Sequence, residues 1–151
     1  MLEYAHNVGT IFPEFNSTSG LFHLSKIKLH DLVLVPQIPN NFLVNHGYED
    51  SVTKRVSFAP SIDDCLKAMS SNLTNTTLYV YAAPIGTKFI KPSIQQVPDV
   101  KITNERWVLE EVQIGLVAVI KVSDAKNEPF KYTYGGTKMA ELYGWNWKKI
   151  G

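Results

Sequence analysis

One stretch, RVSFAPSIDDCLKAMS (residues 55–70), does most to limit what this chain folds into. Val56 and Phe58 alternate with Ser57 as on a half-buried strand, and Pro60 ends the ladder because it has no amide proton to contribute. Ser61 and Asp64 form a capping box: a hydroxyl accepts from a free amide at the helix start, and an acid sits where the helix dipole favours it. Behind that cap, Ile62, Cys65, Leu66 and Met69 recur at helical spacing, so the predicted helix buries one face. A strand that turns at a proline into a capped, one-sided helix demands a sheet for the strand and a core beneath the helix.

The rest of the chain reads as short strands between turn signals. In LFHLS (21–25), Leu21, His23 and Ser25 fall on one face and Phe22 and Leu24 on the other. LYVYAAP and TKFIKP suit strands, and RWVLEEVQI continues the pattern. GLVAVIKVS is apolar enough for a central strand buried on both faces, and Gly115 before it marks a turn or bulge. Residues 1–20 read as an N-terminal extension ending in the loop signal NSTSG, and 40–54 as an exposed loop. The tail TKMAELYGWNWKKI is expected to hold one helical turn, followed by aromatics (Tyr143, Trp145, Trp147) that pack on the body. The expectation is one domain over 1–151, α+β or mostly β, with about six or seven short strands and one or two short helices.

Composition matters chiefly for what it excludes. A formal charge of +1 and only two arginines, Arg55 and Arg106, give no electrostatic case for nucleic acid or a membrane surface. The single Cys65 cannot form an internal disulfide and reads as packing on the helix face, not as a nucleophile. No leader and no apolar run of membrane-spanning length are visible, so the chain is expected to be soluble and cytoplasmic. Its Asn-x-Ser/Thr triplets at Asn16, Asn72 and Asn75 are then idle. His6, His30 and His46 lack the spacing and the acidic or thiol company of a metal site, so no metal is expected.

TNERWVLEEV (103–112) raises the functional question, because it carries Glu105, Glu110 and Glu111 along one apolar run. Glu110 and Glu111 are adjacent, face opposite sides of a strand, and read as solvated charges. Glu105 has different company. LFHLS, RVSFAPSIDDCLKAM and NERWVLEE, in that order over residues 21 to about 122, resemble the three motif strands of the ADP-ribosyltransferase superfamily. The resemblance is to its diphtheria-toxin-like and poly-ADP-ribose-polymerase-like branch. His23 and Ser25 match the first motif, a His followed by a hydroxyl residue. Arg55, Val56, Ser57, Phe58, Ala59 and the capped helix match the second. Asn104, Glu105, Trp107 and Val108 match the third, an Asn-Glu-aromatic-hydrophobic strand.

The resemblance implies a small, mostly antiparallel split β-sheet domain, with NAD as substrate and ADP-ribose passed to an unknown acceptor, expected to be a protein. It makes Glu105, His23 and Ser57 the catalytic set, with Glu105 stabilising the oxocarbenium-like state reached as the nicotinamide–ribose bond breaks. It makes His23, Leu24, Ser25, Ser57, Phe58 and Tyr79 the cofactor-binding set. Ser57 departs from the branch, which has a tyrosine there to stack on nicotinamide; the resulting pattern is His-Ser-Glu, and Tyr79, Tyr81 and Tyr48 are candidates to replace the ring. Arg106 is the other departure, and either steadies a phosphate or points outward. An effector role, as a toxin, a phage-encoded host modifier or an anti-defence protein, suits such a chain. The alternatives are a non-catalytic module on the same fold that binds NAD, ADP-ribose or a protein partner, an RNA 2′-phosphotransferase relative poorly served by two arginines, and a β-rich interaction domain using the 40–54 loop. The enzyme reading requires the side chains of His23, Ser57 and Glu105 to converge on one cleft.

Overall fold

The computed structural model describes the backbone of residues 4–6 and the whole of residues 20–69 and 71–151. The expected extension and its NSTSG loop therefore lie outside the described residues, apart from Gly20 and residues 4–6, which are a strand. Two four-stranded antiparallel sheets organise the chain. The first runs β1 (Tyr4–His6), β6 (Lys88–Ile90), β7 (Arg106–Val108), β4 (Val56–Phe58). The second runs β12 (Trp145–Lys149), β9 (Gly115–Ala125), β5 (Thr77–Ala82), β2 (Phe22–Ser25). Their edge strands β4 and β2 meet at a single bridge, Phe22 with Ala59, whose two backbone hydrogen bonds are 2.8 and 3.0 Å long. Beyond this bridge the ladder stops, so the sheets form one surface split between β2 and β4.

The alternation of LFHLS explains how β2 serves both halves. Phe22 enters a core cluster with Leu78, Val80 and Ile120 beneath helix α2 (Ile62–Ala68), while Leu21 enters a second cluster with Phe58, Tyr81 and Val108. Each such side chain, fully buried, contributes roughly 1.5–3 kcal/mol of transfer free energy. The cap of α2 is as expected: Ser61 Oγ accepts from the amide of Asp64 at 3.1 Å, and Ile62, Cys65 and Leu66 are buried. Cys65 donates its thiol to Phe22 O at 3.3 Å, and burial pushes its pKa up, which makes it a packing residue in the core.

Several expectations are corrected. The run RWVLEEVQI breaks at Leu109–Glu111 into β7 and β8 (Val112–Gln113), because β8 leaves the sheet to pair with β3 (Val33–Leu34). Glu110 and Glu111 occupy that exposed break and do not face opposite sides of a strand. β9 is central, between β12 and β5, but buried on one face only: Ala118, Ile120 and Val122 are in the core, whereas Leu116 is 42% exposed. The bulge falls just after Gly115, where Val80 and Tyr81 pair with Ala118 and Leu116.

The tail contains no helical turn; it forms β11 (Lys138–Leu142) and β12. β11 pairs with β10 (Phe130–Tyr134) through a turn at Gly135 and Gly136, whose φ values of 59 and 84 suit glycine. The 40–54 segment is not a plain loop. It contains helix α1 (Phe42–Asn45), capped by Asn41, and its end is gathered around Arg55. The described residues hold more strands than six or seven, because pieces such as β3 and β8 are only two residues long and carry no periodicity. Among the described residues no helix is long and apolar enough to cross a membrane.

Candidate functional site

Glu105 is delivered to the split by a helix end. Helix α3 (Val100–Thr103) closes with the amide of Asn104 donating to Val100 O at 2.8 Å, and Asn104 takes left-handed angles of φ 54 and ψ 35. Asparagine tolerates this region better than other non-glycine residues, so the chain reverses here at low cost and Glu105 leads directly into β7. In the β4–β7 ladder Ser57 stands opposite Trp107. Opposed residues share a face, as do residues two apart on a strand, so Ser57, Trp107 and Glu105 project together.

The contacts follow from that register. Ser57 Oγ donates to Glu105 Oε2 at 3.2 Å, and the indole Nε1 of Trp107 donates to the same oxygen. Oε1 accepts no hydrogen bond from any described residue. Across the split, His23 Nδ1 lies 3.1 Å from Ser57 O. A carbonyl only accepts, so the proton is on Nδ1 and Nε2 of the neutral ring is an acceptor. Burial holds the His23 pKa below its ordinary value, which favours that neutral ring. Burial pushes the Glu105 pKa up, while hydrogen bonds from Trp107 and Ser57 and the charge of Arg55 pull it back.

A cavity of about 130 Å³ sits where the sheets part, lined among others by His23, Leu24, Ser57, Phe58, Thr103 and Glu105. Ser57 also lines an open groove of about 640 Å³ that runs past His23 and Arg55. Ser57 and Glu105 line a third hollow, of about 220 Å³, with Glu49, Asp99, Phe42 and Tyr132. Burial, reinforced by the charge of Glu105, raises Glu49 to about 7 and Asp99 to about 6. The site is thus acidic. The cation whose charge acts on Glu105, Arg55, is committed to other partners: Nη2 lies 3.3 Å from Glu49 Oε1, and Nη1 donates to Asp50 O and Thr53 O at 2.7 and 2.9 Å.

The structure brings His23, Ser57 and Glu105 together and adds Leu24 and Phe58 to the same cavity. It does not bring in Ser25 or Tyr79. Ser25 Oγ accepts from the amide of Ile27 at 3.2 Å, and Tyr79, opposite Ser25 on β5, packs against the second core cluster. The other candidate rings are also engaged elsewhere. Tyr81 is buried with its hydroxyl accepting from the amide of Leu29 at 2.8 Å, and Tyr48 packs edge-on against Tyr134 at 5.0 Å. In the third hollow Glu105 is instead accompanied by the rings of Phe42 and Tyr132. Arg106 folds back on its own segment, with Nη1 donating to Asn104 O at 2.7 Å and Glu105 O at 3.3 Å.

Sequence reasoning missed Glu49, Asp99 and Tyr132, which come from three distant segments and carry no local signal. Arg55 was visible as a cation opening an apolar strand, with Glu49 and Asp50 shortly before it. Among the described residues no group of three or more His, Cys, Asp or Glu stands in a metal-holding arrangement. No protein family, curated protein or solved structure matches the chain.

Proposed function

We infer that the protein is an ADP-ribosyltransferase of the split-sheet type, which takes NAD into the cleft between β2 and β4 and passes ADP-ribose to an acceptor, expected to be a protein. The observation that carries this reading is the convergence of His23, Ser57 and Glu105 on one cavity at the split. In the reaction the C1′–nitrogen bond of the nicotinamide ribose breaks and its electron pair leaves with nicotinamide. The ribose becomes oxocarbenium-like, and an adjacent carboxylate stabilises the developing charge. Oε1 of Glu105 is the oxygen with no donor among the described residues, and so is free to accept from a ribose hydroxyl or to take the proton of the attacking acceptor. Nε2 of neutral His23 is an acceptor for another ribose hydroxyl. Glu49 and Asp99 add negative potential beside the forming cation to the extent that they are ionised.

The test is nicotinamide release from NAD by the purified protein, wild type beside Glu105→Gln, with and without cell lysate as acceptor. Release that Glu105→Gln abolishes supports the enzyme; no release in any lysate overturns it. One observation favours a second reading, a binding module for NAD, ADP-ribose or a protein: Ser57 offers no ring, and neither Tyr79 nor Tyr81 supplies one to the cavity. That reading expects thermal stabilisation by NAD that survives Glu105→Gln, without nicotinamide release.

A further inference from the structure

Resting on the reading of Glu105 given above, we propose that Trp107 is a positioning residue: its indole N–H holds Oε2 of Glu105, so that Oε1 is the oxygen turned to substrate. Both donors to this carboxylate among the described residues, Ser57 Oγ and Trp107 Nε1, meet at Oε2. The two donors are not equivalent. A serine hydroxyl rotates and can accept as readily as donate, whereas an indole N–H only donates. Trp107 therefore favours a bare Oε2 in either protonation state and leaves Oε1 to gain and lose the proton.

The indole is itself held. Trp107 is fully buried against Ile90 and Val97, and the guanidinium of Arg55 lies over its ring, 4.2 Å from the centroid. The side chain of Arg55 is fully buried and anchored by Glu49 and by the carbonyls of Asp50 and Thr53. A cation on an aromatic face is attracted by the ring's quadrupole, more strongly where both are desolvated. The chain of contact runs from the segment after α1, through Arg55 and Trp107, to one oxygen of Glu105.

The experiment replaces Trp107 by its benzothienyl analogue, which exchanges the N–H for sulfur while keeping the ring and the stack, alongside Trp107→Phe. Hydrogen bonds to charged groups are worth about 1.5–3 kcal/mol, so kcat for nicotinamide release should fall at least about tenfold, with KM for NAD within about twofold. The acidic limb of the pH profile should move upward, by about one unit, because a lost donor no longer favours the carboxylate. The other groups facing Glu105 are unchanged in these proteins: Glu49 after α1, Asp99 before α3, Arg55 and Ser57 around β4, His23 on β2 and Tyr132 on β10.

A readout independent of turnover is the carbon-13 titration of the Glu105 carboxyl, identified by its loss in Glu105→Gln. It should move upward in the analogue. An analogue with wild-type kcat, pH profile and carboxyl titration overturns the proposal while leaving the enzyme reading intact. Failure of the wild type to release nicotinamide overturns the enzyme reading and the catalytic half of the proposal, and the titration then decides the hydrogen-bonding half.

Discussion

Nδ1 of His23 and the carbonyl oxygen of Ser57 stand 3.1 Å apart, and their hydrogen bond crosses the split where the backbone ladder between the sheets has ended. It ties the edge strands together beside the cavity and selects the tautomer that leaves Nε2 unprotonated. His23→Ala should cost about 1 kcal/mol at pH 8 for the lost bond. The folded pKa of His23 lies below 6.5, so as pH falls below 6.5 the unfolded chain takes up a proton first and wild-type stability declines. His23→Ala lacks this decline. Thermal midpoints from pH 8 to 5 should therefore show the gap between wild type and variant closing toward acid.

Glu49 carries the opposite sign. Its folded pKa, about 7, lies above the ordinary 4.5, so between those values the folded protein holds the extra proton and stability falls as pH rises. Glu49→Gln keeps an acceptor for Arg55 without the charge. The variant should match the wild type near pH 4 and exceed it above pH 7 by an amount on the order of 1–3 kcal/mol. Denaturant titrations at the two pH values check this, and a gap that is the same at both contradicts it.

The left-handed backbone at Asn104, φ 54, sets the direction in which Glu105 leaves helix α3. Asn104→Ala should destabilise by about 1 kcal/mol, because alanine keeps the Cβ crowding against the following carbonyl and loses the short polar side chain that makes asparagine tolerated there, whereas Asn104→Gly should stay within a few tenths. Chemical denaturation of the two variants measures the difference. Nicotinamide release by wild type, where present, should fall in Asn104→Ala more than in Asn104→Gly.

Gly135, at φ 59, sits against the ring of Tyr48, where an added Cβ would lie 2.7 Å from Cε1. This contact, with the Lys138–Tyr48 hydrogen bond, docks the β10–β11 hairpin onto the segment after α1 and keeps Tyr132 in the acidic hollow. Gly135→Ala should strain the turn and lift the hairpin, costing roughly 1–2 kcal/mol locally. Amide exchange should quicken in 130–142 with little change in β5 and β9. Unaltered protection in the hairpin would show that Tyr48 does not hold it.

How much of this was legible differs by element, for physical reasons. Helix α2 was readable because a cap and an apolar stripe are properties of neighbours in sequence: Ser61 finds the amide of Asp64, and Ile62, Cys65 and Leu66 share a face wherever the helix lies. The strand at Phe22–Ser25 was readable from its alternation. The exposure of Leu116 on β9 was not, because apolar residues do not report whether a second layer covers them. The break at Glu110 was equally hidden, since it depends on β8 choosing β3 as partner. The tail misled because its pattern allowed a helical turn, and the glycine pair at 135–136 decided for a hairpin.

The same division holds at the site. By itself the sequence determined which chemical groups stood ready on which local elements: His23 on an alternating strand, Ser57 before a capped helix, Glu105 after an asparagine suited to a reversed backbone. Only the tertiary structure decided that Ser57 and Trp107 converge on one oxygen of Glu105, that burial and the charge of Glu105 push Glu49 and Asp99 up, and that Tyr132 in place of Tyr79 lines a hollow with the acid. Local periodicity decides the side on which a residue points. Strand pairing across tens of residues decides what it meets there, and hydrogen bonds and pKa shifts depend on that meeting.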